Sequence, residues 1–291
     1  MVTIRETRAE DFAQVVPLLL GFERSSLTEE HWRQLFVDHS GCQEGRFGHV
    51  LVDDGEIVGT MTLTFSERTF RGRKHRLCNM SNWIVKKEYR GRSIMLLAKA
   101  VALEDVTLTA LSPTPQVLRM CEKLGFEVLG QSQRIVFPAL DPRRLLDRCE
   151  ILTDLPAVEA ALEGEARKLC RDHRLPFHRH LLVRSAIGDC HVMLNRSLKH
   201  VGKGVRVPVA RVHHVSAPDV FRRYLDRIAL AAAVQFRTVA MVVDERILGG
   251  HAPWHSLPRP GGELLGAFRS KDGVRPEDID GLYSECVLLN Y

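Results

Sequence analysis

A short basic turn, Arg90-Gly91-Arg92-Ser93, lies between two segments whose apolar residues follow different periods. The segment before it, about residues 76–86, has the pattern of a strand. The segment after it, about residues 94–103, has the pattern of a helix. A strand that leads through a glycine-containing turn into a helix is a building unit of α/β proteins, and we therefore predict a chain of mixed strands and helices.

The same turn is suited to an anion. The first turn of a helix leaves its N–H groups unpaired, and the helix dipole favours negative charge there. A diphosphate would meet the amides from Gly91 to Met95, and Arg90 and Arg92 would add charged hydrogen bonds. The turn taken alone also fits a plain surface connection, which is a common role for an Arg-Gly turn.

The turn stands within a first half that alternates strand and helix patterns. A hairpin is predicted at about residues 49–65, and a strand at about 106–111. Thr114 can cap the next helix, and Gly125 suits the left-handed position at its end. A final strand at residues 128–137 is expected to close this half as one domain.

The second half repeats this order of elements but none of its motifs, which fits either a second, smaller unit of the same kind or a coincidence of element order. Its helix after Ser216 is strongly amphipathic. Further strands are predicted at residues 190–198, 205–215, 238–243 and 282–291. The predicted domains are a first domain at 1–140, a helical connector at 141–175 and a second domain at 176–291.

Composition narrows the function classes. The formal net charge of +5 over 291 residues is too small for the concentrated basic face of a nucleic-acid-binding protein. No run of eighteen uncharged apolar residues occurs, and the first residues carry charges, so we expect no membrane association and a cytoplasmic location. The 7 Cys residues include no C-x-x-C pair and are expected to be reduced thiols.

Three histidines, His173, His178 and His180, lie among arginines. Their spacing matches no zinc pattern, and no Cys or carboxylate completes a ligand set in the sequence. We therefore interpret this stretch as a solvated basic segment and predict no metal site.

The basic turn and the helix after it resemble motifs of the GNAT superfamily of acyl-CoA N-acyltransferases. The family motif R/Q-x-x-G-x-G/A corresponds to residues 90–95, and residues 118–126 resemble the family's helix that ends in Y-E-K-L-G-F. The resemblance covers residues 1 to about 138. It implies a GNAT-like mixed sheet flanked by helices, with a degenerate or acceptor-shaping GNAT-like unit after it.

The resemblance also implies a site and a reaction. Acetyl-CoA or another acyl-CoA would be the only cofactor, and its pantetheine would follow the fourth strand where two parallel strands separate. A backbone N–H there would polarise the thioester, and an amine would attack it directly in a ternary complex. The implied coenzyme-binding residues are Asn82, Trp83, Ile84, Val85, Arg90, Gly91, Arg92, Ser93, Ile94 and Met95.

The chain departs from the family pattern at several positions. Ser93 and Met95 stand at small-residue positions of the motif, and Cys121 stands where a tyrosine commonly protonates the leaving thiolate. Cys121 is therefore a candidate general acid or a core contact. Asn79 lies near the place of a glutamate base, so a base would come from a water chain, from Glu67 or from the second half.

Two functions follow as alternatives. The first is an N-acyltransferase whose acceptor is a small-molecule amine, such as an amino sugar or amino acid, or a protein N-terminus. The second is a non-catalytic regulator that binds acyl-CoA, which the altered motif positions would fit. A transferase that uses aminoacyl-tRNA is disfavoured by the low net charge.

Overall fold

The computed structural model describes residues 1–22, 27–140, 142, 147–201, 204–260 and 264–290. Over these residues the chain forms two compact units, each built on a seven-stranded mixed sheet with helices against it. The predicted α/β class is thereby confirmed. Among the described helices, none is both long and apolar enough to cross a membrane.

The first unit comprises residues 1–129 and 265–289. Strands β1 to β4 pair antiparallel in chain order, and β4 pairs with β5 in parallel through a connection that contains α3. The remaining sheet order is β5, β14, β6. The strands are β1 (Thr3–Glu6), β2 (Gly48–Asp53), β3 (Glu56–Phe70), β4 (Arg73–Val85), β5 (Thr107–Ala110), β6 (Glu127–Gln131) and β14 (Leu264–Arg269).

In the first helix the apolar residues recur at positions i, i+3, i+4 and i+7, which is the spacing of a helix with one buried face. Phe12, Val15, Val16 and Leu19 are all buried in the first helix, which continues through Pro17. Thr114 caps α4 through its hydroxyl, which accepts the Val117 N–H at 3.3 Å, as predicted. The helices are α1 (Phe12–Leu20), α2 (Glu29–Arg33), α3 (Ile94–Val101), α4 (Pro115–Lys123) and α10 (Glu285–Leu288).

The second unit comprises residues 130–264 and Asn290. Strands β8 to β11 again pair antiparallel in chain order, and β11 pairs with β12 in parallel through a helical connection. Its strands are β7 (Gln133–Val136), β8 (Cys149–Leu152), β9 (His178–Ser185), β10 (Gly188–Val201), β11 (Val205–Val215), β12 (Ala240–Asp244) and β13 (Ser256–Pro258). Its helices are α5 (Leu155–Ala161), α6 (Gly164–Asp172), α7 (Pro218–Arg223), α8 (Leu225–Phe236) and α9 (Glu245–Leu248).

The repeat of element order is therefore a repeat of sheet topology. In each unit four consecutive strands pair antiparallel, and the last of them pairs in parallel with the next strand of the sheet through a helical connection. The helical stripe predicted after Ser216 packs as expected, since Phe221, Ile228 and Ala232 are each 0% exposed within the core of this unit. The chain thus contains two units that share this order of strands and helices.

The prediction of a single strand at residues 128–137 is wrong. Two strands stand there, and they belong to different sheets: β6 lies at the edge of the first sheet, and β7 pairs with β12 and β13 of the second. In the first sheet β14, from far along the chain, occupies the place next to β5. A single run of period-two residues carries no information about which sheet its backbone will pair with.

The compact units consequently divide the chain differently from the predicted boundaries at residues 140 and 175. The strand predicted at 282–291 is also wrong: the described part of this stretch contains α10, and residue 291 lies outside the described residues. The predicted connector contains α5 and α6 but also β8, and its residues 141 and 143–146 lie outside the described residues.

The interpretation of the three histidines as a solvated segment is wrong. His173, His178 and His180 are 0%, 5% and 3% exposed. His178 and His180 lie two positions apart on β9 and so share one face of the sheet. The side chains of Arg171 and Arg174 are exposed. The arginines give this stretch its polar sequence pattern, whereas the three histidines are buried.

Candidate functional site

The first unit contains a cleft where β4 and β5 separate. The parallel pairing covers only Leu77 to Asn79 on β4 and Thr107 to Thr109 on β5, although β4 continues to Val85. Beyond Asn79 the β5-facing edge of β4 has no strand partner in the described part of the sheet. The cleft has a volume of about 150 Å³. Its walls include Met80, Asn82, Trp83, Ser112, Val117 and Cys121.

A β-bulge turns β4 at the cleft. Asn82 and Trp83 lie opposite the single residue Met61, because the register shifts between Thr60 and Thr62 of β3. Asn82 adopts φ +50°, a left-handed conformation that asparagine tolerates better than most residues. Its side-chain amide donates to the hydroxyls of Thr62 and Ser81, each at 2.9 Å. This network holds the bulge in place.

Trp83 supplies an unsatisfied donor in the cleft wall. Its ring packs against the core cluster of the first unit, and its indole Nε1 is buried without a hydrogen-bond partner in the described structure. Buried donors are rarely left unpaired in proteins, since each lost hydrogen bond costs about 1–3 kcal/mol.

The basic turn takes the form of a 3-10 helix, Lys87–Arg92, that runs directly into α3. The Ser93 N–H donates to the Arg90 carbonyl at 3.1 Å, so this amide is already used and the predicted run of free amides is interrupted. Arg90, Gly91 and Arg92 are exposed. Both arginines are therefore open to a ligand.

Residues that flank the turn fix it to the hairpin of β2 and β3. The Tyr89 hydroxyl donates to Asp53 at 3.0 Å, and the Lys86 ammonium pairs with Glu56. Lys86 is therefore held by a carboxylate.

Met95 and Ser93, at the altered motif positions, are both partly buried, and Ile94 is 47% exposed. A long side chain on a helix, such as Met95, is expected to point back toward the core. Leu96 and Leu97 belong to the core cluster of the first unit, whereas Met95 is not among the described side chains that form it or pack against it. The helix turns these two leucines inward, which leaves Met95 near the surface at the start of α3.

Cys121 belongs both to the cleft wall and to the core cluster of the first unit. It is 0% exposed, and burial raises the pKa of its thiol, with a smaller contribution from the neighbouring Glu122 carboxylate. The sulfur is therefore protonated at neutral pH. This state fits a packing residue and also a proton donor.

Glu67 lies away from the cleft. Glu67 lies on β3 and pairs with Arg76 of β4. It is three residues along β3 from Thr64, whose partner on β4 is Asn79. Three residues of strand span about 10 Å. Its carboxylate is 52% exposed and 3.9 Å from the Lys74 ammonium. The structure does not bring Glu67 to the residues that line the cleft.

A different carboxylate lies beside the cleft. The Glu285 side chain, at the start of α10, accepts a hydrogen bond from the Asn79 amide at 2.6 Å and another from the Ser112 hydroxyl. The Asn79 carbonyl oxygen in turn accepts from Thr109 at 3.2 Å, which orients the amide. Ser112 lines the cleft, so one hydroxyl group separates the Glu285 carboxylate from it.

Burial dominates the electrostatics of Glu285, which is 1% exposed. Loss of hydration raises the pKa of this carboxyl above its ordinary value, and the hydrogen bonds from Ser112 and Asn79 oppose that rise only in part. The sequence left the second half open as the source of a base. No local signal marked Glu285, because the contact depends on a return of the chain to the first sheet.

Comparison with known proteins supports the fold. No protein-family model and no curated protein sequence matches the chain. A GCN5-related N-acetyltransferase from Anabaena variabilis ATCC 29413 has a TM-score of 0.60 and 12% identity, over 92% of this chain and 72% of that one. A GCN5-related N-acetyltransferase from Kribbella flavida has a TM-score of 0.58 and 16% identity, over 92% and 71%.

The Saccharomyces cerevisiae N-myristoyltransferase with bound myristoyl-CoA has a TM-score of 0.50 and 7% identity, over 97% of this chain and 82% of that one. The chain therefore has the fold of the GNAT superfamily, as its motifs predicted. At these identities the likeness concerns the fold alone.

Proposed function

We propose that the chain transfers an acyl group from acyl-CoA to an amine by direct attack in a ternary complex. The separation of β4 from β5 beyond Asn79 is the observation that carries this proposal. It leaves an open strand edge beside the cleft that Asn82 and Trp83 line. The pantetheine would pair with the free edge at residues 82–85, and its diphosphate would meet Arg90 and Arg92 at the start of α3.

In this proposal Glu285 is the base on the acceptor side. The amine nitrogen attacks the thioester carbon, a C–N bond forms, and the C–S bond breaks as the thiolate leaves. The nitrogen gives its proton to Ser112 Oγ as the Ser112 proton passes to the Glu285 carboxylate. A carboxyl whose pKa is raised is better matched to this step than an exposed one, because its basicity lies closer to neutral pH.

The thiolate then takes up a proton. Cys121 stands in the cleft wall as a protonated thiol, and water is the other source. The acceptor is a small-molecule amine or a protein N-terminus.

Thiol release tests the proposal. Acetyl-CoA and longer acyl-CoA thioesters are incubated with the full chain and a panel of amines, and free coenzyme A is measured over time. We expect amine-dependent thiol release and an acylated amine of matching mass. Met95, at the position where the family motif has a small residue, favours the regulatory alternative. Tight acyl-CoA binding without thiol release for any amine would support that alternative.

A further inference from the structure

The second unit buries an unusual set of side chains between α6 and its sheet. Cys170 comes from α6, His180 from β9 and His191 from β10, and they are 0%, 3% and 1% exposed. One ligand atom from each lies within 4.8 Å of the other two. Sequence spacing did not reveal the group, because a helix and two strands bring its members together.

Hydrogen bonds determine the protonation of His180. Its Nε2 lies 2.7 Å from the main-chain oxygen of His173, and a carbonyl can only accept, so Nε2 carries the proton. The lone pair therefore lies on Nδ1, which is 3.0 Å from Nε2 of His191. A histidine whose second nitrogen donates to a carbonyl oxygen has the arrangement commonly found for metal-binding histidines.

His191 has a buried Nδ1 with no hydrogen-bond partner in the described structure. Hydrogen bonding alone thus leaves the cluster incompletely satisfied.

We propose that Cys170, His180 and His191 bind one thiophilic d¹⁰ cation, Zn²⁺ or Cu⁺. A thiolate with two imidazoles is a donor set that these ions prefer, whereas Mg²⁺ and Ca²⁺ require oxygen ligands. The described cluster contains no carboxylate, and Val158, Leu162 and Leu182 surround Cys170 with apolar groups. All three residues belong to the second unit.

The geometry requires a small closure. An ion bound tetrahedrally to sulfur at about 2.3 Å and to nitrogen at about 2.1 Å holds those atoms about 3.6 Å apart. The observed limit of 4.8 Å exceeds that by about 1.2 Å at most, which side-chain rotation can supply. Binding replaces the thiol proton, so each ion bound should release one proton from Cys170 to solvent.

The experiment titrates the metal-free full chain with Zn²⁺, and separately with Cu⁺ under anaerobic reducing conditions, with Mg²⁺ as a comparison. We expect one equivalent of Zn²⁺ or Cu⁺ to bind, to release a proton and to raise the thermal unfolding temperature. The ion with the lower dissociation constant is identified as the ligand of this site. Absence of stoichiometric binding in both arms would show a hydrogen-bonded cluster only and would overturn the proposal.

Variants locate the site. Cys170→Ala and His191→Gln should each weaken binding at least 100-fold, while Cys149→Ser, a partly buried cysteine of the same unit outside the cluster, should bind as the parent does. Circular dichroism of each metal-free variant shows whether it is folded. Binding that survives in a folded Cys170→Ala protein would place the ion elsewhere and refute the assignment.

Discussion

The Glu285 carboxylate accepts a hydrogen bond from the Asn79 side-chain amide at 2.6 Å, across 206 positions of sequence. Asn79 is the last residue of β4 that pairs with β5, so this contact marks the point at which the cleft opens. An amide cannot take a proton, but it can orient a carboxylate that does. The pair thus places at this point of the sheet a carboxylate, which we propose as the base, where β4 itself has an amide.

Replacement of Glu285 tests its role as a base. Glu285→Gln keeps the size of the side chain, and the Ser112 hydroxyl can rotate to donate or to accept. We expect kcat/KM for acyl transfer to fall about 100-fold or more, the usual contribution of general base catalysis. Glu277→Gln, which changes an exposed carboxylate in the same C-terminal segment, should leave the rate unchanged. Equal rates for the two variants would exclude Glu285 as the base.

The pH dependence of rate and of stability should have opposite signs at Glu285. The rate should rise as pH passes the raised pKa of this carboxyl, because only the ionised form takes a proton. Between the ordinary value of 4.5 and the raised pKa, the folded state binds more protons than the unfolded state. The free energy of unfolding should therefore fall with rising pH across that window.

Rate profiles and denaturant unfolding at a series of pH values measure both effects, and Glu285→Gln should flatten both in this window. A rate that falls as pH rises through the window would contradict the proposed role.

Asn82 should be replaceable by glycine more readily than by valine. The φ of +50° is accessible to glycine but costs a β-branched residue about 1–3 kcal/mol. Asn82→Val should unfold more easily and bind coenzyme A more weakly, because the bulge is lost. Asn82→Gly keeps the backbone and loses only the hydrogen bonds to Thr62 and Ser81. Calorimetry measures the affinity of both variants for coenzyme A. If Asn82→Val binds coenzyme A as tightly as the parent does, the bulge is not needed for binding.

Arg90 should contribute to diphosphate binding. We expect Arg90→Ala to weaken coenzyme A binding by about 1.5–3 kcal/mol, the typical value of a charged hydrogen bond. Arg73→Ala removes the same charge from an exposed position at the tip of the β3–β4 hairpin and should have little effect. Isothermal titration measures the affinity of both variants for coenzyme A. If Arg90→Ala binds coenzyme A with unchanged affinity, the diphosphate does not bind at this turn.

Cys121 should matter more for stability than for turnover. Cys121→Ser buries a hydroxyl among apolar neighbours, which should cost about 1–3 kcal/mol of unfolding free energy. The rate should change less than about 10-fold if water protonates the thiolate. Cys42→Ser, at a partly buried position, is the control for stability. A folded Cys121→Ser protein that turns over about 100-fold more slowly would instead identify Cys121 as the general acid.

Local information in the sequence was enough for much of the first unit. The capping by Thr114, the buried stripe of α1 and the strand, turn and helix around Arg90 all depend on residues within one or two turns of each other. Glu67, the carboxylate named from the sequence, lies outside the cleft because strand pairing sets its distance from Asn79.

The sequence by itself thus determined the α/β class, the repeated order of elements and the position of the basic turn, because hydrophobic period and turn chemistry are properties of neighbouring residues. Only the tertiary structure decided that β7 joins the second sheet and β14 the first, that Glu285 meets Asn79, and that Cys170 lies against two histidines. These contacts join segments far apart in the chain. They form because strand edges and apolar faces must each find a partner, and period alone does not specify which one.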